Sequence, residues 1–282
     1  MIETAQAFQA AAKSGASEEK ETNLRGLMRE MKSVLVAYSG GVDSAYLGLI
    51  ATQELAKNSL CVMGLSPSVS AFQRDEGSRI AREFGFAFET IDTEEIEDPS
   101  YAANPTDRCY FCKTELYDKL NGLSGERGIA FVVDGTNADD LTDHRPGRTA
   151  ATERAVRSPL AEVGFTKDEI RERSHALGLP GWDKPASPCL ASRIAHGVPV
   201  TIERLRKVEE GEAFLRREGF REFRVRVHGD LVRLEISPDE IDTALTKEMT
   251  ERFSQAFKNL GFRYVTLDLT GFRSGSMNET GR

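Results

Sequence analysis

The sequence predicts an α/β protein, with a helix-covered parallel sheet followed by a smaller α+β unit. Three observations carry this. From Val34 to about Pro180, short apolar runs alternate with stretches of helical periodicity, the order of strands joined by crossover helices. The first run breaks into a glycine-rich turn, Ser39-Gly40-Gly41-Val42-Asp43-Ser44, that leads straight into a helix. Past Pro180 the pattern becomes a helix, two alternating runs joined by His228-Gly229-Asp230, another helix and a last strand.

Taken in order, Val34 to Tyr38 is apolar throughout and reads as a buried strand. The helix after the turn has Tyr46, Leu47, Leu49 and Ile50 on its apolar side. Leu60 to Leu65 is a second buried strand. Ser70 and Gln73 have the spacing of a capping box, opening a helix to about Phe84 with Gly85 as its stop. Phe86 to Ile91 is a third strand. Acids and prolines then mark a loop that includes Cys109 and Cys112, and a helix follows over Lys113 to Leu120. Ile129 to Val133 is a fourth strand, running into Asp134-Gly135-Thr136-Asn137-Ala138-Asp139-Asp140. Thr166 and Glu169 form a second capping box, with a helix to Leu177 and Gly178 closing it. In the second unit, Thr201 opens a charged helix to about Glu218. Phe223 to Val227 and Leu231 to Ile236 read as a hairpin, Ser237-Pro238 suits a helix start, and Tyr264 to Leu269 is the final strand. The expected organisation is a mobile tail or loose helix over residues 1–23, a sheet domain over 24–178 and an α+β domain over 179–282.

Composition sets the class. With 39% apolar and 29% charged residues the chain reads as soluble and globular, and no apolar run approaches a membrane span. No signal peptide is visible at the start, so a cytoplasmic location is expected. A net charge of −8 disfavours bulk nucleic-acid binding. Four cysteines in such a chain suggest a metal or chemistry rather than a disulfide framework.

A glycine-rich strand-to-helix turn aims backbone N–H groups and the helix dipole at one point, which favours an anion such as phosphate. No lysine follows the glycines, so the turn is not a Walker A loop, and it lacks the G-x-G-x-x-G spacing of dinucleotide folds. S-G-G-x-D-S after a first strand instead resembles the PP-loop of the ATP pyrophosphatases, with their adenine nucleotide alpha hydrolase-like sheet. Those enzymes cleave ATP between the α- and β-phosphates to activate an oxygen of the substrate. By this resemblance Ser39, Gly40, Gly41, Asp43 and Ser44 hold ATP phosphates and Mg²⁺, and Asp134, Gly135 and Thr136 complete the nucleotide site. Asp43 is a hard oxygen ligand of the kind Mg²⁺ prefers. Asp139 and Asp140 read equally well as a solvated acidic loop.

The longer pattern resembles the LarE family. It comprises S-G-G-V-D-S, D-G-T-N-A-D-D, H-R-P-G from His144, S-P-C-L-A-S-R from Ser187, F-R-V-R-V-H from Phe223 and the motif from Gly261 to Asn278. The resemblance runs from about Leu24 to Asn278. It implies an ATP-dependent sulfur transferase of nickel-pincer nucleotide synthesis, with the active site in a cleft between the two domains. Such enzymes adenylate a carboxylate of pyridinium-3,5-dicarboxylic acid mononucleotide, and a sulfur nucleophile displaces AMP to leave a thiocarboxylate. It also implies a homo-oligomer, and inorganic sulfide or another sulfur donor as partner. In the resemblance Arg224 and Arg226, which alternation puts on one face of a strand, bind the substrate phosphate. Glu212 matches an acidic residue near the active site, and Arg193 steadies adenylate or substrate. The main rival is a tRNA-thiolating PP-loop enzyme.

The cysteines depart from the better-known members, which carry a single cysteine near the position of Cys189 and sacrifice its sulfur. Here Cys109-Tyr110-Phe111-Cys112 is added. Cys109, Cys112 and Cys189 suffice for three ligands of a [4Fe–4S] cluster with one iron open, as in a three-cysteine subgroup. A zinc site with His144 or His196, or a thiol/disulfide pair, are the alternatives. Cys61 lies inside an apolar strand and reads as a packed core thiol.

Overall fold

Val34–Ala37 is buried at all four positions, and the computed structural model makes it the inner strand β1 of a parallel sheet. The structure describes residues 2–142, 146–184 and 188–273, with side chains from residue 15 onward. The chain divides into two units. The first takes residues 1–65, 71–93 and 109–184, and the second residues 66–70, 94–108 and 185–282. No helix among the described residues is long and apolar enough to cross a membrane.

The first unit holds α1 (Ile2–Met31), β1, α2 (Val42–Leu55), β2 (Ser59–Leu65), α3 (Ala71–Glu83) and β3 (Phe88–Asp92). After the excursion through α4 (Pro99–Ala102) of the second unit come α5 (Arg108–Arg127), β4 (Phe131–Asp134), α6 (Pro146–Glu153), α7 (Pro159–Glu162) and α8 (Lys167–Ala176). The strand order is β3-β2-β1-β4, all parallel. The chain therefore steps outward from β1 to β3 and returns on the other side of β1. That reversal, between β1 and β4, is where an open α/β sheet leaves a crevice at its carboxyl edge. Alternation sends Val34 and Val36 into one core with Leu24, Met28, Leu47 and Ile50, and Leu35 and Ala37 into another with Tyr117, Leu120 and Val132. The Thr166–Glu169 capping box forms as read, with both reciprocal bonds present.

Two expectations need correction, while the chain from Ile2 takes the helical one of its two alternatives, as α1. Ser17 is buried, Lys20 pairs with Glu169 at 2.7 Å, and Glu21 accepts from Tyr46 Oη at 3.0 Å and Arg173 Nε at 2.8 Å. Cys109 and Cys112 lie within the first five residues of α5, not in a loop. The second unit begins at residue 185 rather than 179, because Leu179 is buried in the core of the first unit. It also claims residues 66–70 and 94–108 through backbone bonds such as Leu190 N to Ser68 O at 2.8 Å and Val200 N to Ala102 O at 2.8 Å.

The second unit packs α9 (Ile202–Arg217), β5 (Phe223–His228), β6 (Leu231–Ile236), α10 (Ile241–Ala244), α11 (Lys247–Asn259) and β7 (Tyr264–Leu267). β5 and β6 form the expected antiparallel hairpin, and β7 joins β6 in parallel. Phe214 meets Phe253 and Phe257 edge-on, and Gly211 lets α9 approach this cluster. A Cβ at Gly211 would lie 2.6 Å from Phe257 Cε1, in a ring that is fully buried. Gly211→Ala should therefore destabilise this unit by about 1–3 kcal/mol despite alanine's better helix propensity, read as an earlier thermal transition. An unchanged or later transition would contradict the packing described.

Candidate functional site

In the first unit the chain leaves β1 through Tyr38 and turns at Ser39-Gly40-Gly41. Gly40 has φ +76°, and a Cβ there would lie 3.1 Å from Gly77 Cα, so glycine answers both backbone conformation and close approach. Ser44 Oγ donates to Gly41 O at 3.0 Å and accepts from Ser39 N at 3.2 Å, which folds the turn back on the first turn of α2. No side chain caps α2, so its leading N–H groups face the turn.

The loop after β4 lies against this turn. Ala37 and Asp134 are register partners, so both loops leave the sheet at one level. A Cβ on Gly135 would stand 2.9 Å from Ser44 N and 3.1 Å from Ser44 Cα. The Asp134 carboxylate accepts from Tyr117 Oη at 2.7 Å, Ser158 Oγ at 2.8 Å, Thr136 Oγ1 at 3.0 Å and Thr136 N at 3.1 Å. It holds the loop rather than facing outward. The Lys113 ammonium lies over the Tyr117 ring, 5.1 Å from its centroid, and the neighbouring Tyr117 and Asp134 raise its pKa against burial. Tyr117, Ser158 and Lys113 were missed because nothing in their own segments signals a role here.

Asp43 is the group left in an unsatisfied state. Its Oδ2 accepts from Asn137 Nδ2 at 3.3 Å, while its buried Oδ1 has no hydrogen-bond partner among the described residues. Burial, reinforced by Asp140, pushes its pKa above the ordinary carboxylate range against the pull of Lys167, Asn137 and Arg171. A bare carboxylate oxygen beside an anion-binding turn fits a hard cation that accompanies a phosphate. Asp140 and Asp139 serve the loop instead. Asp140 Oδ2 accepts from Asn137 N at 3.3 Å, and Asp139 Oδ2 accepts from Lys167 N at 2.7 Å where α8 begins.

On α5, Cys109 is exposed and Cys112 half-buried, three residues apart on one helix face. Cys61 is buried, and desolvation pushes its thiol up to about 12, as befits a core residue. In the second unit Cys189 is half-buried just before a 3-10 turn, Leu190–Arg193. His196 is exposed; His144 and Ser187, and the motif beyond Arg273, lie outside the described residues. Among the described residues no three His, Cys, Asp or Glu form a group able to hold a metal ion. The donor chemistry suits a thiolate-bound cluster to this extent: Cys109, Cys112 and Cys189 are all accessible, and Cys61 is not.

Arg193, Arg224 and Arg226 of the second unit are buried, whereas Arg206 on α9 and Arg221 after it are exposed. Arg193, 2% exposed, donates Nε to Glu212 Oε1 at 2.8 Å and Nη2 to Glu212 Oε2 at 3.3 Å. Glu212 is thus the partner of Arg193. Arg193 Nη1 also donates to Pro188 O and, at 3.1 Å, to Cys189 O. Arg226 donates to Glu235 Oε2 at 3.0 Å and to Ser192 O at 3.1 Å. Arg233 bridges Glu235 at 3.1 Å and Asp268 at 3.0 Å. Arg224 lies over the Phe272 ring at 4.7 Å, and burial, with Arg193 adding, lowers its pKa to about 10. Among the described residues, Arg193, Arg224, Arg226 and Arg233 thus gather about Glu212, Glu235 and Asp268.

A parallel sheet with S-G-G-V-D-S at its switch point and D-G-T beside it defines a PP-loop domain. Part of the chain is similar to a GMP synthase of Streptococcus uberis, with 26% identity over 66% of this chain and 39% of that protein. An uncharacterized protein of Synechocystis sp. is 44% identical over 93% of this chain and 97% of its own length. The pyridinium-3,5-bisthiocarboxylic acid mononucleotide synthase of Lactiplantibacillus plantarum is 34% identical over 93% of this chain and 94% of its own. The chain belongs to the family of that synthase, the LarE family. No family model matches it.

Asp43 yields a prediction with a definite sign. A carboxyl whose pKa is raised on folding costs stability once ionised, and the cost vanishes as pH falls through that pKa. Asp43→Asn should raise the melting temperature of the Mg²⁺-free chain at pH 8, by a margin that shrinks on acidification. A lower melting temperature at pH 8 would contradict the assignment.

Proposed function

We propose that this protein is an ATP-dependent sulfur transferase. It adenylates a carboxylate of pyridinium-3,5-dicarboxylic acid mononucleotide and converts it to a thiocarboxylate for nickel-pincer nucleotide synthesis. The observation that carries this is the near full-length similarity to the Lactiplantibacillus plantarum synthase, joined to an intact S-G-G-V-D-S turn at the switch point. A carboxylate has no leaving group, and attack on the α-phosphate gives it AMP as one, with pyrophosphate released.

In this reading Ser39, Gly40, Gly41 and Ser44 cradle the phosphates, with backbone from Gly135 and Thr136. Asp43 would hold Mg²⁺, which offsets phosphate charge as pyrophosphate departs. Arg224 and Arg226 bind the substrate phosphate, a role that their alternate positions on β5 support. Arg193, fixed by Glu212, orders the Cys189 backbone. Cys109, Cys112 and Cys189 would be the ligands of a [4Fe–4S] cluster, whose open iron can supply a transferable sulfide. The assembly is a cytoplasmic homo-oligomer.

Two experiments test this. ATP with Mg²⁺ should give AMP and pyrophosphate only when the dicarboxylate mononucleotide is present, and Asp43→Ala should abolish the reaction. ADP as sole product would refute the PP-loop chemistry. Protein purified without oxygen should be brown, contain iron and acid-labile sulfide, and turn over repeatedly with added sulfide. Ala at Cys109, Cys112 or Cys189 should remove cluster and activity, and Cys61→Ala neither. One turnover per chain, with Cys189 converted to dehydroalanine, would show instead a sacrificed cysteine and exclude the cluster route.

A further inference from the structure

Residues 94–108 read in sequence as a loop, and their side chains have an unexpected target. Within the second unit Asn104 is fully buried and has φ +57°, a left-handed conformation that asparagine tolerates better than most residues. Its Nδ2 donates to Ala195 O and Val198 O at 2.8 Å and to Ile194 O at 3.3 Å. Its Oδ1 accepts from Arg108 Nη1 at 2.5 Å, and the same Nη1 donates to Ala191 O at 2.9 Å. Gly197 N donates to Asn104 O at 3.0 Å. Next to Cys189, Leu190 N donates to Ser68 O at 2.8 Å, and Ser68 Oγ lies 2.6 Å from Tyr101 Oη.

These bonds converge on one stretch of chain. From Pro188 to Val198 the backbone has only one short 3-10 turn and an isolated bridge at Ile194, so no ladder holds it. Its carbonyls are held by side chains: residues 188 and 189 by Arg193, 191 by Arg108, 192 by Arg226, and 194, 195 and 198 by Asn104. Buried carbonyls without partners are costly, so these bonds favour the arrangement observed.

We propose that Asn104 and Arg108 are positioning residues for Cys189. They act through the backbone on the C-terminal side of the thiol and fix where it is presented. The inference rests on the reading of Cys189 as a sulfur-handling residue. A misplacement of about 1 Å in a reacting group can cost on the order of a hundredfold in rate. The effect should fall on sulfur transfer and spare adenylation, whose loops belong to the first unit.

The test uses the full chain and two variants that differ in kind. Asn104→Gly keeps the left-handed backbone without strain and deletes the amide. Arg108→Met keeps an apolar stem and deletes the donors, and Arg108→Lys restores a cation. Three quantities are read: substrate-dependent ATP–pyrophosphate exchange, thiocarboxylate formation, and the rate at which iodoacetamide alkylates Cys189, followed by peptide mass spectrometry. Exchange should stay within about threefold of the parent, while thiocarboxylate formation falls and Cys189 alkylation rises, each by about tenfold or more. Arg108→Lys should recover part of both. Unchanged product formation and Cys189 alkylation in Asn104→Gly would overturn the proposal. So would a parallel loss of exchange, product and melting temperature in both deletions, the mark of a general structural role. Cys189→Ala separates the two layers. If it leaves product formation intact, the reading of Cys189 fails. If it abolishes product while Asn104→Gly changes nothing, only the positioning role fails.

Discussion

The close approach of Gly135 to the first turn of α2 is the constraint on which the nucleotide site depends. Parallel pairing sets Ala37 beside Asp134, so the chain leaves β1 and β4 at the same height. A side chain at Gly135 would drive its Cβ into backbone atoms of Ser44, and nothing there can swing aside. Asp134 then pins the loop from beneath with donors from α5, from Thr136 and from Ser158. With both loops fixed, Asn137 reaches Asp43, and one carboxylate oxygen stays buried with no donor among the described residues. The site keeps an electrostatically costly group in place ahead of any ligand, a common price of preorganisation.

Much of this was legible in the sequence because its signals are local. A fully apolar run, a glycine pair, a Thr–Glu capping box and a period-two hairpin each act within a few residues, and each formed where it was read. What escaped reading depends on distant partners. α1 carries little amphipathic signal, and its described part is secured by ion pairs such as Lys20–Glu169 to a helix about 150 residues on. The prolines and acids before Arg108 spoke for a loop, and α5 begins directly after them. Segments 66–70 and 94–108 interrupt the sheet domain in sequence but bond to the Cys189 region, which no local pattern announces. Alternation placed Arg224 and Arg226 on one face; it did not show that Glu235 and Phe272 meet them.

The second unit is organised by arginine in two directions. Guanidinium groups bond carboxylates on one side and loop carbonyls on the other, as Arg193 does between Glu212 and Cys189 O, and Arg226 between Glu235 and Ser192 O. Planar, permanently charged forks suit this double duty, which lysine would perform poorly. The loop bearing Cys189 is therefore tied to Arg226, one of the two arginines proposed to receive the substrate phosphate.

The central claim is that ATP is spent to turn a substrate carboxylate into an acyl adenylate. Its most direct measurement follows oxygen. Pyridinium-3,5-dicarboxylic acid mononucleotide labelled with ¹⁸O in its carboxylates is turned over with unlabelled ATP, and the AMP is analysed by mass spectrometry. The account predicts one ¹⁸O in the phosphate of AMP for each thiocarboxylate formed, because the bond to the activated oxygen is broken on the carbonyl side. Thiocarboxylate formed with unlabelled AMP would contradict it.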